Sequence, residues 1–216
     1  EEEIAELAYP RHPRRIRSTL LLSNLAPLLQ HPQSHIRFPF ESFKTANWDI
    51  EHVRSVASAE LGSPALQAEW LRQTKRYLEL VAQEPDAVAL QVKIRAHLDL
   101  APREGAAVFE PLYAEILKYF HEDDGEPDNS IANLVLLDQE TNRSYKNAVF
   151  PVKRQRVIEL DAHGVFVPHC TRNVFLKSYS PSVGNALYWT QQDRDEYQQK
   201  VIETLSDFVK GGWVDV

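Results

Sequence analysis

The stretch Trp48-Asp-Ile-Glu-His-Val53 has the pattern of a short strand that ends with a carboxylate directly beside a histidine. Far along the chain, a second strand-like run, Asn133-Leu-Val-Leu-Leu137, precedes the polar segment Thr141-Asn-Arg-Ser-Tyr-Lys-Asn147. Brought together, the two segments would make a small β-hairpin and would gather a histidine, a carboxylate, asparagines and a lysine. The sequence therefore predicts a functional site that is split between two distant segments.

The composition of the 216-residue chain is that of an ordinary globular protein, with 43% hydrophobic and 25% charged residues. Only 7 residues are glycine, which favours helices over a loop-rich β fold. No apolar run approaches the roughly 18 residues of a membrane span, so we expect no membrane contact. The single Cys170 excludes an intramolecular disulfide and is typical of a protein of the reducing cytoplasm. Because the chain begins at Glu1 and contains no methionine, we expect a fragment of a longer protein.

Most of the remaining chain carries helical patterns. Residues 64–122 predict a helical insertion, whose apolar side chains recur near a 3.6-residue period after Pro85 and again after Pro102. We interpret its aromatic residues as core and not as a base-stacking platform. A closing helix over about 190–210 is expected to be capped at Thr190. The chain is therefore predicted to be mainly α with a small β-hairpin.

We expect one domain over residues 1–216. Its catalytic part takes in about 45–56 and 130–160, and the helical insertion at about 57–125 lies between them. The local predictions are a helix over 1–31 that kinks or ends at Pro27, an edge strand or extended link at Ile36-Arg-Phe-Pro-Phe40, an interruption near Pro151 within helical residues 141–160, and a short strand at Val165-Phe-Val167.

Hydrolysis of a phosphodiester needs an activated water, neutralised charge on the phosphate and help for the leaving oxygen. His52 is suited to act as general base, because imidazole titrates near neutral pH. Glu51 and the amide oxygen of Asn142 are suited to hold a hard cation such as Mg²⁺ or Mn²⁺. Lys146 lies four residues after Asn142, so on a helix both side chains share one face and can meet the same phosphate. These residues predict a one-metal nuclease.

A cationic stretch surrounds the second segment. From Thr141 to Ile158 the chain contains no acidic residue, although its net charge is −7. The basic residues of this stretch are Arg143, Lys146, Lys153, Arg154 and Arg156. They predict a local surface for the DNA backbone. The alternative is a solvated basic helix that binds no ligand.

The pair Glu51 and His52 leaves two interpretations open. Adjacent residues on a regular strand point to opposite faces, so the two side chains converge only at a strand end, a bulge or a sharp bend. A histidine beside a carboxylate is also compatible with a core histidine that has no part in catalysis.

The order of these motifs resembles that of the HNH (His-Me finger) nucleases. Asp-Ile-Glu-His is followed by Asn-Leu-Val-Leu-Leu and by Asn-Arg-Ser-Tyr-Lys-Asn, with Phe150 and Lys153-Arg154 behind them. More narrowly, the chain resembles the nuclease domain of the GmrSD type, which lies C-terminal to a ParB-like NTPase domain in modification-dependent restriction and phage-defence proteins. The resemblance covers roughly residues 15–55 and 128–210.

The resemblance implies a ββα-metal finger embedded in a helical domain. His52 would be its general base, and Glu51 and Asn142 would be the metal ligands. Lys146 would be a basic residue near the phosphate, and the side chain of Asn133 would brace the loop between the strands. The chain lacks a second cysteine for the zinc knuckle of some HNH domains. It also lacks a GxxxxGK[ST] nucleotide loop, so the NTPase partner is expected outside this chain.

These features predict a metal-dependent DNA endonuclease or nickase that serves as the effector part of a defence protein. Its predicted contacts are to phosphate, so little sequence specificity is expected from the domain itself. Cleavage of RNA by the same chemistry stays open. The alternative from another class is a non-catalytic helical module that docks or regulates an NTPase partner, which the acidic net charge and the large helical insertion favour.

Overall fold

The fold is given by a computed structural model that describes residues 2–30, 35–45, 48–55, 61–81, 84–123, 128–138, 147–180 and 187–210. Within these residues the strands are β1 (Trp48–His52) and β2 (Leu134–Asp138), and a 3-10 helix, η1 (Ile131–Asn133), leads into β2. The prediction of a mainly α chain with a small β-hairpin is confirmed. The helices are α1 (Glu2–Ala5), α2 (Pro13–Gln30), α3 (Phe40–Thr45), α4 (Pro64–Val81), α5 (Pro85–Leu98), α6 (Pro102–Tyr119), α7 (Phe150–Ala162), α8 (His169–Leu176) and α9 (Gln191–Val209).

Strands β1 and β2 pair in antiparallel register, with Trp48 opposite Asp138 and His52 opposite Leu134. The apolar residues 134–137 of β2 are all buried, as expected for a strand that is covered on both faces. The pairing therefore brings together the two segments that carry the predicted site, although the helical insertion separates them in sequence.

Each strand has one edge without a strand beside it in the described part of the chain. Side chains from four helices, α2, α7, α8 and α9, donate hydrogen bonds to carbonyl groups at these edges, which satisfies backbone groups that would otherwise be exposed or unpaired. The helices therefore hold the hairpin by its edges as well as by packing. The donors and acceptors are Thr171 Oγ1 to Leu136 O (2.7 Å), Tyr197 OH to Leu134 O (2.9 Å), Arg17 to Trp48 O, and Lys153 Nζ to His52 O (2.6 Å).

The helical insertion is a three-helix unit. Helices α4, α5 and α6 pack against one another, and α4 also contacts α7. The Trp70 ring lies 4.9 Å from the Tyr113 ring and 6.2 Å from the Phe109 ring, and all three side chains are buried. This confirms that these aromatic residues belong to the core. Trp70 Nε1 also donates to Asn147 O at 2.8 Å, which ties the insertion to the segment before α7.

The closing helix α9 begins with a capping box at Thr190, as predicted. Thr190 Oγ1 accepts a hydrogen bond from Asp193 N, and the Asp193 carboxylate accepts one from Thr190 N at 2.8 Å. The helix then packs against α2 and η1. Its buried Tyr197 reaches β2, so the end of the chain supports the strand that follows Asn133.

Pro27 does not end the second helix, so of the two predicted outcomes, a kink or an end, the end is wrong. Helix α2 continues through Pro27 to Gln30. A proline has no N–H to donate to the carbonyl four residues earlier, which is Ser23 O. In this structure the Cys170 thiol donates to Ser23 O at 2.9 Å. A tertiary contact from α8 therefore replaces the hydrogen bond that the proline removes.

Three other local predictions concern Pro151, residues 36–40 and residues 165–167. Residues 147–149 are not helical and α7 begins at Phe150, which agrees with an interruption near Pro151; the proline itself lies in the first turn, where a missing N–H costs nothing. Residues 35–39 form no strand and lead into α3 at Phe40, so the edge strand is wrong and the alternative of a link remains. Residues 165–167 form no strand, because Val165 N donates to Leu160 O in the turn that ends α7.

Several helices have the length of a membrane span but not its composition. Helices α2, α4 and α6 have 18 residues each and α9 has 19, yet all of them carry charged side chains. None of the helices in the described ranges is both long and apolar enough to cross a membrane.

Candidate functional site

His52 lies at the end of β1 and its ring is oriented by Asn129. The distance between His52 Nε2 and Asn129 Oδ1 is 3.0 Å, and the Tyr9 ring meets the imidazole edge-on at 6.0 Å. Tyr9 N in turn donates to Asn129 O at 2.9 Å. An amide oxygen accepts but does not donate, so Nε2 carries the ring proton and the basic lone pair of the neutral ring lies on Nδ1. This geometry gives His52 a defined tautomer.

Asn133 joins the two backbone segments beside His52. Its Oδ1 accepts a hydrogen bond from Arg54 N at 2.9 Å, and its Nδ2 donates to Arg54 O at 3.1 Å. Nδ2 also donates to Asp128 O at 2.9 Å, next to Asn129. These contacts match the bracing role that the resemblance implies. The residue is fully buried, so its side chain holds these backbone segments together and is not accessible to solvent.

Glu51 and Lys153 form a buried ion pair. Lys153 Nζ lies 2.7 Å from Glu51 Oε1 and 2.6 Å from His52 O, and the lysine side chain is 1% exposed. This burial corrects the prediction that Lys153 contacts DNA, because a buried ammonium group held by two oxygens does not reach a phosphate. Glu51 and His52 engage different elements, in keeping with the alternation of side chains along a strand.

The predicted metal site is described only in part. Asn142, Arg143 and Lys146 lie outside the described residues. Glu51 has one carboxylate oxygen bound to Lys153, which leaves Oε2 as its donor for a hard cation. No group of three or more His, Cys, Asp or Glu side chains that could hold a metal ion is present among the described residues. A carboxylate and an amide oxygen nevertheless remain a donor pair that suits Mg²⁺ or Mn²⁺.

Fewer basic side chains are exposed on α7 than its composition predicts. Phe150, Lys153, Val157 and Leu160 are buried and lie on one face of the helix. Arg154 is partly exposed, and Arg156 is exposed with an ion pair to Glu159 at 3.5 Å. Of the predicted DNA contacts within the described residues, only these two arginines are therefore accessible.

Glu122 is a buried carboxylate beside this site that the sequence patterns did not indicate. It follows α6, and its Oε1 accepts a hydrogen bond from Phe150 N at 2.6 Å. Burial raises the pKa of Glu122 to about 7, against the opposing effects of the Phe150 N–H, Lys153, Arg54 and the Ser55 N–H. In sequence, Glu122 lies within the polar run 121–130, whose composition is typical of a loop. Its burial depends on the packing of α6, which no local pattern records.

Comparisons with known proteins identify no relative of this chain. No family model matches the chain, and neither a curated protein nor a solved structure shows significant similarity to it. The residues around His52 and the order of the motifs are therefore the observations that bear on function.

Proposed function

We propose that this chain is a metal-dependent DNA endonuclease or nickase with an HNH-type (His-Me finger) site, in which His52 is the general base. The observation that carries the proposal is the hydrogen bond between His52 Nε2 and Asn129 Oδ1. This hydrogen bond gives His52 a defined tautomer. A general base needs one, because only the nitrogen without a proton can accept one.

The hydrolytic step follows from this tautomer. His52 Nδ1 takes a proton from water, the water oxygen forms a bond to phosphorus, and the bond from phosphorus to the 3′ oxygen breaks. Lys153 holds the backbone at His52 O and Asn133 holds it at Arg54. The His52 ring is therefore in position before the reaction begins. When bound by Glu51 and Asn142, Mg²⁺ or Mn²⁺ would neutralise charge on the phosphate and on the leaving oxygen.

The DNA backbone would lie along the cationic side of the site. Arg154 and Arg156 on α7 would contact phosphates, and Arg143 and Lys146 would add positive charge before that helix. Phosphate contacts carry no sequence information, so target choice would belong to a partner. We assign that role to a ParB-like NTPase domain outside this chain, in a cytoplasmic restriction or phage-defence system.

Cleavage of supercoiled plasmid with Mg²⁺ or Mn²⁺, with EDTA as the metal-free control, tests the proposal. His52→Ala should slow cleavage by about 100-fold or more, as is typical of a lost general base. Asn142→Ala should also slow cleavage if Asn142 binds the metal. His35→Ala is a matched control, because His35 is an exposed histidine remote from the strand pair in sequence. A folded His52→Ala variant that cuts as fast as the wild type would overturn the assignment.

A second candidate is the non-catalytic module that docks an NTPase partner. Val88 and Val92 lie one turn apart on α5 and are 46% and 64% exposed, which gives the insertion an apolar outer surface. This candidate predicts no cleavage of plasmid DNA or of single-stranded RNA with either metal. It also predicts partner binding that survives His52→Ala but is weakened by Val92→Asp.

A further inference from the structure

Hydrogen bonds hold the backbone at His52 and at the two residues that follow it. Lys153 binds His52 O, Asn133 O accepts a hydrogen bond from Val53 N at 2.8 Å, and the Asn133 side chain holds both backbone groups of Arg54. These hydrogen bonds come from α7 and from η1. The helical insertion reaches the same region through Glu122, whose Oε1 accepts a hydrogen bond from Phe150 N and whose buried Oε2 has no hydrogen-bond partner among the described residues.

The position of Glu122 is itself well defined. Helix α6 ends at Tyr119, and Glu122 N donates to Leu117 O at 2.8 Å, which turns the chain back towards the strand pair. The carboxylate of Glu122 then accepts the hydrogen bond from Phe150 N, a donor at the N-terminus of α7 that has no acceptor within its own helix. An anion at a helix N-terminus is favourable. Glu122 therefore connects the insertion to the start of α7, the helix whose Lys153 holds His52 O.

The charged and titratable groups that face Glu122 come from three elements. Lys153 extends from α7, Arg54 follows β1, and Tyr113 lies on α6. Lys153 thus lies in the field of two buried carboxylates, since it also pairs with Glu51. Removal of the Glu122 charge would change the electrostatic potential at the Lys153 ammonium group, which donates a hydrogen bond to His52 O.

We propose that Glu122 is a positioning residue for His52, through which the helical insertion fixes the end of β1 and the start of α7. The proposal rests on the nuclease function proposed above, and it assigns the insertion a part in the site. Glu122 acts through its hydrogen bond to Phe150 N and through the charge of Lys153, which holds His52 O, and it does not touch the substrate. Because burial raises the pKa of Glu122 to about 7, the carboxyl group changes its charge between pH 6 and 8. Its effect on the positions of Phe150 and Lys153 changes over the same range.

The test compares Glu122→Gln and Glu122→Ala with Glu110→Gln, which removes an exposed carboxylate from α6, the helix that precedes Glu122. One readout is plasmid cleavage from pH 5.5 to 9. The other is ¹⁵N NMR of the His52 ring, which reports the tautomer whether or not the protein cuts DNA. Glu122→Ala should slow cleavage about 100-fold, the loss expected from a misplaced group. Glu122→Gln keeps an acceptor oxygen, so it should be intermediate and should lose the component of the pH profile near 7.

The NMR readout separates the two proposals. If the wild type cuts no nucleic acid, the nuclease function fails, while a changed His52 spectrum in folded Glu122→Gln would still support positioning. If Glu122→Gln and Glu122→Ala fold, keep the wild-type His52 signals and cut at the wild-type rate, Glu122 has no positioning role. If Glu122→Ala does not fold, the isosteric Glu122→Gln alone tests whether Glu122 positions His52.

Discussion

At the scale of the residue, the two ring nitrogens of His52 are made unequal by Asn129. The amide oxygen holds the proton on Nε2, while the Asn129 backbone is itself held by Tyr9 and the neighbouring Asp128 by Asn133. The ring therefore does not have to select a tautomer when a water molecule arrives. Partners of this kind commonly contribute about 10-fold to 100-fold in activity at metal and base sites.

Substitutions of Asn129 test this role directly. Asn129→Ala should lower the cleavage rate by about 10-fold or more, because Nε2 loses its acceptor. Asn129→Asp should raise the pKa of His52, since a nearby anion favours the imidazolium, and it should move the rise of the pH–rate profile to higher pH. Gln199→Ala, at an exposed amide on α9, is the control. An unchanged pH–rate profile in both Asn129 variants would contradict the orienting role.

The basic run around Lys153 shows how much of the site a sequence can predict. Composition predicted DNA contacts for both Lys153 and Arg154, but it does not record which way a helical residue points. Helical spacing carries that information, because Lys153 lies three residues after the buried Phe150 and four before the buried Val157. The roles of Asn129 and Glu122 could not be predicted, since both depend on contacts between distant segments.

At the scale of the element, the strands and most helices follow from local patterns, while the continuation of α2 through Pro27 does not. A proline inside a helix normally costs about 3 kcal/mol because it removes a hydrogen bond and crowds the preceding turn. The Cys170 thiol from α8 satisfies Ser23 O, and Asn24 Oδ1 accepts a hydrogen bond from Cys170 N at 2.7 Å. The packing of α8 on α2 therefore allows α2 to continue through Pro27, although the local sequence disfavours a helix there.

A double-mutant cycle measures this compensation. Cys170→Ala leaves Ser23 O without its donor and should lower the free energy of unfolding by about 1 kcal/mol or more. In the background of Pro27→Ala, the new N–H at position 27 can donate to Ser23 O, so the same substitution should cost about 1 kcal/mol less. Urea unfolding of the four proteins gives the coupling energy. A coupling of zero would show that the thiol does not replace the lost bond.

At the scale of the whole molecule, buried ionisable groups give stability contributions of opposite sign. Glu122 has a pKa of about 7 in the fold and 4.5 as its ordinary value, so its contribution is complete below pH 4.5 and is lost as the pH rises to 7. Burial lowers the pKa of His97 and His169, so their contributions are present above pH 6.5 and are lost as the pH falls. The wild-type profile is the sum of these opposing changes.

Glu122→Gln separates these contributions, because it removes one of them and leaves the histidines in place. The unfolding free energy of Glu122→Gln relative to the wild type should rise between pH 4.5 and pH 7, by up to roughly 3 kcal/mol. Above pH 8 the difference should be constant, since Glu122 is ionised in both the folded and the unfolded wild type. Urea unfolding at intervals from pH 4.5 to 8.5 measures the change, with Glu110→Gln expected to run parallel to the wild type. A difference that stays constant across the range would mean that Glu122 ionises normally, because the Phe150 N–H, Lys153 and Arg54 would then offset the effect of burial on its pKa.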